Sequence, residues 1–302
     1  MRLVVTGATG FIGRVLCARL LQQGHTLTLF TRVSPRDAGT AAKRWVQWTP
    51  GALGEWGAAL EGVDGVIHLA GEPIAARKWN DIQRRRIEKS RVEGTNSLVQ
   101  AIAKAEPKPT FLISASAVGY YGPRGDELIT EDSPPGDDFL SAVCRAWEEE
   151  AKKAERLGLR VVRLRTGVVL GSGGGALTKM AQPFKFFVGG PLGSGRQWMS
   201  WIQLEDHVRL ILQLIDNAQA NGPVNATAPN PVRNKEFCQA LGRVLRRPCW
   251  APVPGFALRL ALGEMAEMLL TGQRVMPAAA QKLGFQFRYP NLEQALQASM
   301  PV

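Results

Sequence analysis

The chain has 302 residues, of which 45% are hydrophobic and 21% charged, and its formal net charge is +11. This balance excludes a disordered chain, and no apolar run is long enough to span a membrane, so a soluble globular protein with a substantial core is expected. Cys17, Cys144, Cys238 and Cys249 show no C-x-x-C spacing, which argues against a metal site and against a disulfide framework and predicts reduced thiols.

The first segment, RLVVTG, reads as a short buried strand. It begins at once, which leaves no room for a secretory leader and predicts a cytoplasmic protein. FIGRVLCARLLQQG follows as a helix closed by Gly24, and HTLTLFTR as a second strand, giving a βαβ unit. VDGVIHLAG is a further buried strand and RRIEKSRVEGTNSLVQAIAKA a helix. The densest basic run, Arg84 to Arg91, includes Glu88 and no aromatic residue, so it reads as a solvated helix face and no nucleic-acid partner is expected. TFLISAS, FLSAVCRAWEEEAKKAERLG and LRVVRLRTGVVLG then give strand, helix and strand. The alternation predicts an α/β fold with a doubly wound parallel sheet of Rossmann type.

After Leu170 the pattern changes to glycine- and aromatic-rich segments, expected as loops and short strands over a ligand cleft. EDHVRLILQLIDNA returns to helix, GPVNATAP to strand and NKEFCQALGRVLRR to helix. Residues 1–170 are therefore expected to form a nucleotide-binding domain, completed by a strand near 222–228, and residues 171–302 a substrate lobe and C-terminal region. In the tail, GFALRLALGEMAEMLL places Phe256, Leu260, Met265 and Leu269 on or near one side of a helix. Glu264, Glu267 and the lack of a lysine-rich face favour packing against the domain, while a weak membrane or protein contact stays open.

TGATGFIG sets Gly7, Gly10 and Gly13 between the first strand and the first helix with G-x-x-G-x-x-G spacing. Such glycines allow a sharp turn and bring a pyrophosphate onto the helix N-terminus, where unpaired N–H groups and the helix dipole favour negative charge. At the end of the second strand, an acid would hold the ribose of NAD and a basic residue would accept a 2′-phosphate. Thr31-Arg32 stands there and no acid appears until Asp37, which favours NADP.

With HLAG at 68–71 and RTGVVLG at 165–171, these residues resemble the short-chain dehydrogenase/reductase superfamily in its extended form. RKWN, SRVEGT, GGGAL, GGPLGSGRQWMSWI and the tail motifs are similar to its atypical branch of epimerase family proteins, over essentially the whole chain. The resemblance implies an NADP site drawn from Gly7, Thr9, Gly10, Phe11, Ile12, Gly13, Thr31, Arg32, Leu69, Ala70, Gly71 and Ser114. It further implies Arg91 reaching the cofactor and Val169 near the nicotinamide end, in an oxidoreductase or epimerase acting on a polar small molecule such as a nucleotide sugar. The alternative it leaves open is a non-catalytic regulatory protein that works through partners, since some relatives carry a cell-division label.

Ordinary members of the superfamily use a serine at the end of the strand that here reads ISAS, and a Tyr-x-x-x-Lys pair on the next helix. By position Ser141 and Arg145 would fall on the two slots, and no tyrosine is there. Serine without a neighbouring base and permanently charged arginine cannot replace the pair. Ser116, Tyr120 and Tyr121 are the candidate proton handlers, with the pocket-wall reading of the two tyrosines preferred and Cys144 an outside candidate. His25, His68 and His207 are isolated and expected to be structural.

Overall fold

The computed structural model describes residues 1–33, 40–75 and 77–300. Short β-branched and leucine-rich runs form strands that alternate with longer periodic segments forming helices. In chain order, β1 is Arg2–Thr6, α1 Phe11–Gln22, β2 Thr26–Thr31, β3 Lys43–Gln47, β4 Gly65–His68, α2 Asp81–Lys104, β5 Phe111–Ala117, β6 Leu128–Ile129, α3 Phe139–Lys152 and β7 Arg160–Thr166. There follow β8 Val168–Leu170, α4 Gly175–Lys185, β9 Trp198–Met199, β10 Trp201–Gln203, α5 Leu204–Asp216, β11 Gly222–Ala226, β12 Val232–Arg233 and α6 Asn234–Leu245. The chain ends with α7 Gly255–Leu262, α8 Glu267–Leu270, β13 Arg274–Val275, α9 Ala278–Lys282 and α10 Leu292–Ser299.

Seven strands form one sheet in the order β11-β7-β5-β4-β1-β2-β3, and each pairing in it is parallel. Alternate residues leave opposite faces of such a sheet. On one face Val5, Ile67, Ile113 and Leu164 pack with Leu16 and Leu20 of α1 and Ile211 and Leu214 of α5. On the other, Val4, Val66, Leu112 and Val161 pack with Leu98 and Ile102 of α2 and with Trp48 and Trp56. A third cluster gathers Leu177 and Phe184 of α4, Phe237 and Leu241 of α6 and Leu296 of α10 with Trp201. The strand order reverses beside β1, so the connections leave the carboxyl ends of β1 and β4 in opposite directions and open a crevice there.

Three expectations differ from the structure. The segment Leu159–Gly171 is two strands, β7 in the central sheet and β8 paired separately with β10. The stretch after Leu170 contains the helix α4 as well as loops and short strands. The tail does not form one inward-packed helix: α7 stops at Gly263, whose φ of +61° turns the chain, and no residue of α7 is buried. Phe256 and Leu260 are 74% and 86% exposed while Met265 is buried, because the turn puts the two halves of the apolar pattern on different faces. Among the described residues no helix is long and apolar enough to cross a membrane.

Candidate functional site

The crevice is built first by backbone. Gly7 has φ +71°, and a Cβ there would stand 2.8 Å from the Leu69 carbonyl carbon, so the β1 and β4 loops touch only because position 7 has no side chain. A Cβ on Gly13 would overlap the Gly7 carbonyl oxygen, so α1 rests directly on the loop. The α1 N-cap is Gly10, with no side-chain cap and no acid in the first turn. The first-turn N–H groups therefore keep their capacity to bind an anion, in line with the helix dipole.

Beneath the crevice, Thr6 Oγ1 lies 2.7 Å from His68 Nδ1, and His68 Nε2 lies 3.0 Å from Thr95 Oγ1 of α2. The Ala70 N–H donates to Thr6 Oγ1 at 3.2 Å, which directs the threonine proton toward His68 Nδ1. Burial pushes the His68 pKa down to about 4. The neutral ring thus ties β1, β4 and α2 together where the strand order reverses. His207 is also fully buried with its pKa down to about 4, and its Nε2 meets Thr166 Oγ1 at 3.0 Å.

Around the crevice stand the charged groups. Arg91 of α2 is half-buried against Gly71, where a Cβ would come 3.3 Å from its Cζ. Its Nη1 donates to the Glu72 and Ile87 carbonyls at 3.1 and 3.0 Å, and its guanidinium lies 5.1 Å from the Trp147 ring centre. Among the described residues no carboxylate forms an ion pair with it, and burial lowers its pKa. At the end of β2, Thr31 is buried and Arg32 exposed, and Arg32 Nη1 lies 3.8 Å from Glu72 Oε2. Asp37 lies outside the described residues. Glu72 follows β4 and was not singled out from sequence, since nothing local pairs it with a residue 40 positions earlier. Thr9 is exposed, Phe11 and Ile12 are half-buried, and Phe11 is covered by the turn at Gly174 and Gly175, where a Cβ would come within 2.8 Å of its ring. Lys179 Nζ of α4 bonds the Ala75 carbonyl at 2.9 Å, and Arg84 of α2 pairs with Glu264, after α7, at 2.9 Å. Leu69 and Ala70 are half-buried at the rim, Ser114 is buried opposite His68, and Val169 is buried on β8 against Ile202.

The proton-handling candidates Ser116 and Tyr121 sit in a buried network beside β5 and β7. Ser116 Oγ donates to Glu148 Oε1 at 2.7 Å, and Arg165 clamps the same carboxylate through Nε and Nη2, each at 2.8 Å. Arg165 Nη1 donates to the Tyr121 hydroxyl at 2.9 Å, which donates to Asn225 Oδ1 at 2.7 Å. Burial pushes the Tyr121 pKa up to about 12, against the pull of Arg165. Burial works against the Arg165 charge, yet the Glu148 hydrogen bonds and charge outweigh it and raise its pKa. The Tyr120 ring lies 3.5 Å from the Arg165 Cζ and lines a groove beside α3, away from the glycine loop.

The two helical-slot residues sit in different surroundings. The Ser141 hydroxyl bonds the Gly119 carbonyl and Asp138, and the Arg145 side chain is exposed toward that outer groove. Leu140 and Cys144 of α3 face the turn after β5, where a Cβ on Gly119 would meet them at 3.6 and 3.9 Å. With Glu148 they form the i, i+4, i+8 row that looks at the strand. Burial pushes the Cys144 thiol up to about 12, so it is no ready nucleophile or base.

The family model described as NAD dependent epimerase/dehydratase family matches residues 3–226, and a second, a domain of unknown function (DUF1731), matches residues 253–299. The chain belongs to the NAD-dependent epimerase/dehydratase family. It is 46% identical, over 99% of its length and 87% of the relative, to the chloroplastic homolog of epimerase family protein SDR39U1 from Arabidopsis thaliana. It is 43% identical to epimerase family protein YfhF of Bacillus subtilis, covering 98% and 97% of the two chains. Among solved structures it superposes on the human epimerase family protein SDR39U1 (isoform 2), crystallised with NADPH, at a TM-score of 0.90 and 36% identity over 99% of both chains.

Proposed function

We propose that the protein binds NADP(H) in the β1/β4 crevice and acts as an oxidoreductase or epimerase on a polar small molecule, a nucleotide sugar being one candidate. One observation carries this reading: a glycine loop delivers an uncapped helix N-terminus without acids to the crevice, with Arg32 at the end of β2. The first-turn N–H groups of α1 would hold the pyrophosphate and Arg32 the 2′-phosphate, while Leu69, Ala70 and Gly71 floor the adenosine side. Arg91, whose hydrogen bonds go to backbone carbonyls and a serine hydroxyl, keeps a charge for the middle of the cofactor, and Val169 shields the far end. The bound cofactor would supply hydride chemistry; residues 1–170 with β11 would form its half of the protein and residues 171–302 the substrate lobe. The NADPH-bound human relative supports the choice of cofactor.

In this reading Ser116 and Tyr121 position the walls of the site, because both hydroxyls are already committed inside the buried network. The same observation, with no tyrosine anywhere in α3, favours a second reading, a cofactor-binding protein that acts through partners. Turnover of NADPH across carbonyl compounds and nucleotide sugars separates the two. The cofactor assignment is tested by titration calorimetry on the wild type and Arg32→Ala. One charge-assisted phosphate contact, partly exposed, corresponds to an affinity loss of about ten-fold for NADPH and none for NADH. Equal wild-type affinity for the two cofactors overturns it.

A further inference from the structure

The helix α4 starts at the crevice, where Gly174 and Gly175 cover Phe11, and ends about 16 Å away along its axis. Phe184, near that end, is buried in the third core cluster. The chain then turns back on itself: the Phe187 N–H donates to the Phe184 carbonyl and the Val188 N–H to the Pro183 carbonyl, each at 3.0 Å. The turn leaves Phe186, Phe187 and Val188 exposed in a row, the two rings at 77% and 53%. The segment after α6 comes up beside them. Trp250, 66% exposed, donates its Nε1–H to the Phe187 carbonyl at 2.8 Å and its backbone N–H to the Gly189 carbonyl at 3.1 Å, and the Arg247 guanidinium lies 4.5 Å from the Phe187 ring centre.

Three observations set this tip apart. Of the four aromatic side chains exposed among the described residues, three stand here, so the apolar area is gathered rather than scattered. Phe187 holds φ +62°, a left-handed conformation that strains a bulky residue, and its exposed ring recovers little of that strain by burial. The charge around the rings is of one sign. Lys185, Arg246 and Arg247 are exposed and, among the described residues, form no ion pair and no side-chain hydrogen bond. No acid occurs in the chain between Glu155 and Glu205 or between Glu236 and Glu264, the two stretches that build the tip. Arg243, Arg246 and Arg247 line an open groove of about 540 Å³ whose wall holds no carboxylate, and Glu293 of the neighbouring α10 is held by Arg243 at 3.0 Å.

We infer that this tip docks on an anionic lipid surface, with Phe186, Phe187, Val188 and Trp250 entering the headgroup boundary and Lys185, Arg246 and Arg247 meeting the lipid phosphates. Aromatic rings suit the membrane–water interface, and adjoining cations are drawn to its negative potential. The bonds from Trp250 hold the tip preformed, so little ordering is needed on contact. The same charges disfavour a second copy as the occupant, because a two-fold contact would set each cationic cluster against its own image. The tip and the dinucleotide crevice lie at opposite ends of α4, so docking requires nothing of the proposed reaction.

Co-sedimentation of the full chain with vesicles tests it, comparing phosphatidylcholine alone with an equal mixture of phosphatidylcholine and phosphatidylglycerol. The protein should bind the mixed vesicles at low ionic strength and not the neutral ones, and should come off near 1 M salt, where the screening length is about 3 Å. Phe186→Ser and Trp250→Ser should each weaken partitioning by about ten-fold, the loss of one buried ring, and Arg246→Gln and Arg247→Gln by about five-fold each. All four side chains are exposed, so the variants should keep the wild-type urea midpoint. Phe256→Ser and Leu260→Ser, on the other exposed apolar stretch, should leave binding unchanged. Absence of binding, equal binding to both vesicle types, or loss of binding in the α7 variants but not in those of the tip overturns the inference. So does a lipid-free dimer in sedimentation velocity that Phe186→Ser and Trp250→Ser dissociate, since the tip would then be a contact between copies.

Discussion

Two polar regions meet the same sheet and behave in opposite ways. At the β1/β4 crevice, polar groups are held open: α1 carries no cap, Arg91 bonds backbone carbonyls and a serine hydroxyl, and Arg32 is largely exposed. At the β5/β7 side, Ser116, Glu148, Arg165, Tyr121 and Asn225 satisfy one another in series and are buried. Hydroxyls and charges therefore do not mark chemistry by their identity. What distinguishes a binding surface from internal scaffolding is whether the hydrogen-bonding capacity of each group is already used.

The sharpest way to break this contrast is to remove the centre of the closed network. The Arg165 and Glu148 side chains are 4% and 6% exposed, so Glu148→Ala leaves a buried, uncompensated guanidinium. The expected loss of stability is about 3–5 kcal/mol, read by urea unfolding. A loss below about 1 kcal/mol would mean that the network is open to water and that Ser116 and Tyr121 are available for chemistry after all.

Next in size is a pH effect shared by both regions. His68 ties the crevice strands and His207 holds the end of β7, each with its pKa lowered from 6.5 to about 4 by burial. The unfolded chain binds protons on these rings between pH 6.5 and 4 that the folded chain refuses, so their stabilisation is present above pH 6.5 and lost as pH falls toward 4. The slope is about 1.4 kcal/mol per pH unit for each ring. His68→Gln should flatten the stability profile in that window; an unchanged profile would show that the ring titrates in the fold as it does in the unfolded chain.

Much of the crevice was legible in sequence because its determinants are local. Gly7, Gly10 and Gly13 act within seven residues, and each is required by a close backbone approach or turn that spacing alone can suggest. The closed network was not legible: Glu148 and Arg165 lie on different elements, and only the packing of α3 against β5 and β7 brings them together. The setting of Ser141 and Arg145 was not legible for the same reason, since they share a face as well as Leu140 and Cys144 do, and only the packing of α3 shows that Ser141 is buried against Gly119 while Arg145 is exposed. In the tail, the apolar period continued through Gly263 in letters but not in space.

The open side is tested by Gly13→Ala. Its methyl group would collide with the Gly7 carbonyl, so α1 must move away from the loop and the first-turn N–H groups lose their aim. NADPH affinity should fall by about ten- to a hundred-fold, or 1.4–2.8 kcal/mol, in calorimetry at matched folding. Unaltered binding would remove the helix N-terminus from the proposed site.

The smallest effect sharpens the comparison most, because it concerns a pair that belongs to neither extreme. Arg32 and Glu72 stand 3.8 Å apart at the crevice rim, with side-chain exposures of 68% and 23%. A 2′-phosphate would have to take Arg32 from this carboxylate and sit near its negative charge. A ribose hydroxyl would instead find in Glu72 the acid that the end of β2 lacks. Glu72→Gln removes the charge and keeps the shape. NADPH affinity should rise by two- to five-fold, about 0.4–1 kcal/mol as for other exposed ion pairs, while NADH affinity holds or falls. The gain should fade as ionic strength approaches 1 M, where the screening length shrinks to about 3 Å. If the NADPH to NADH affinity ratio does not change, Glu72 does not face the ribose, and Arg32 selects the cofactor without competition.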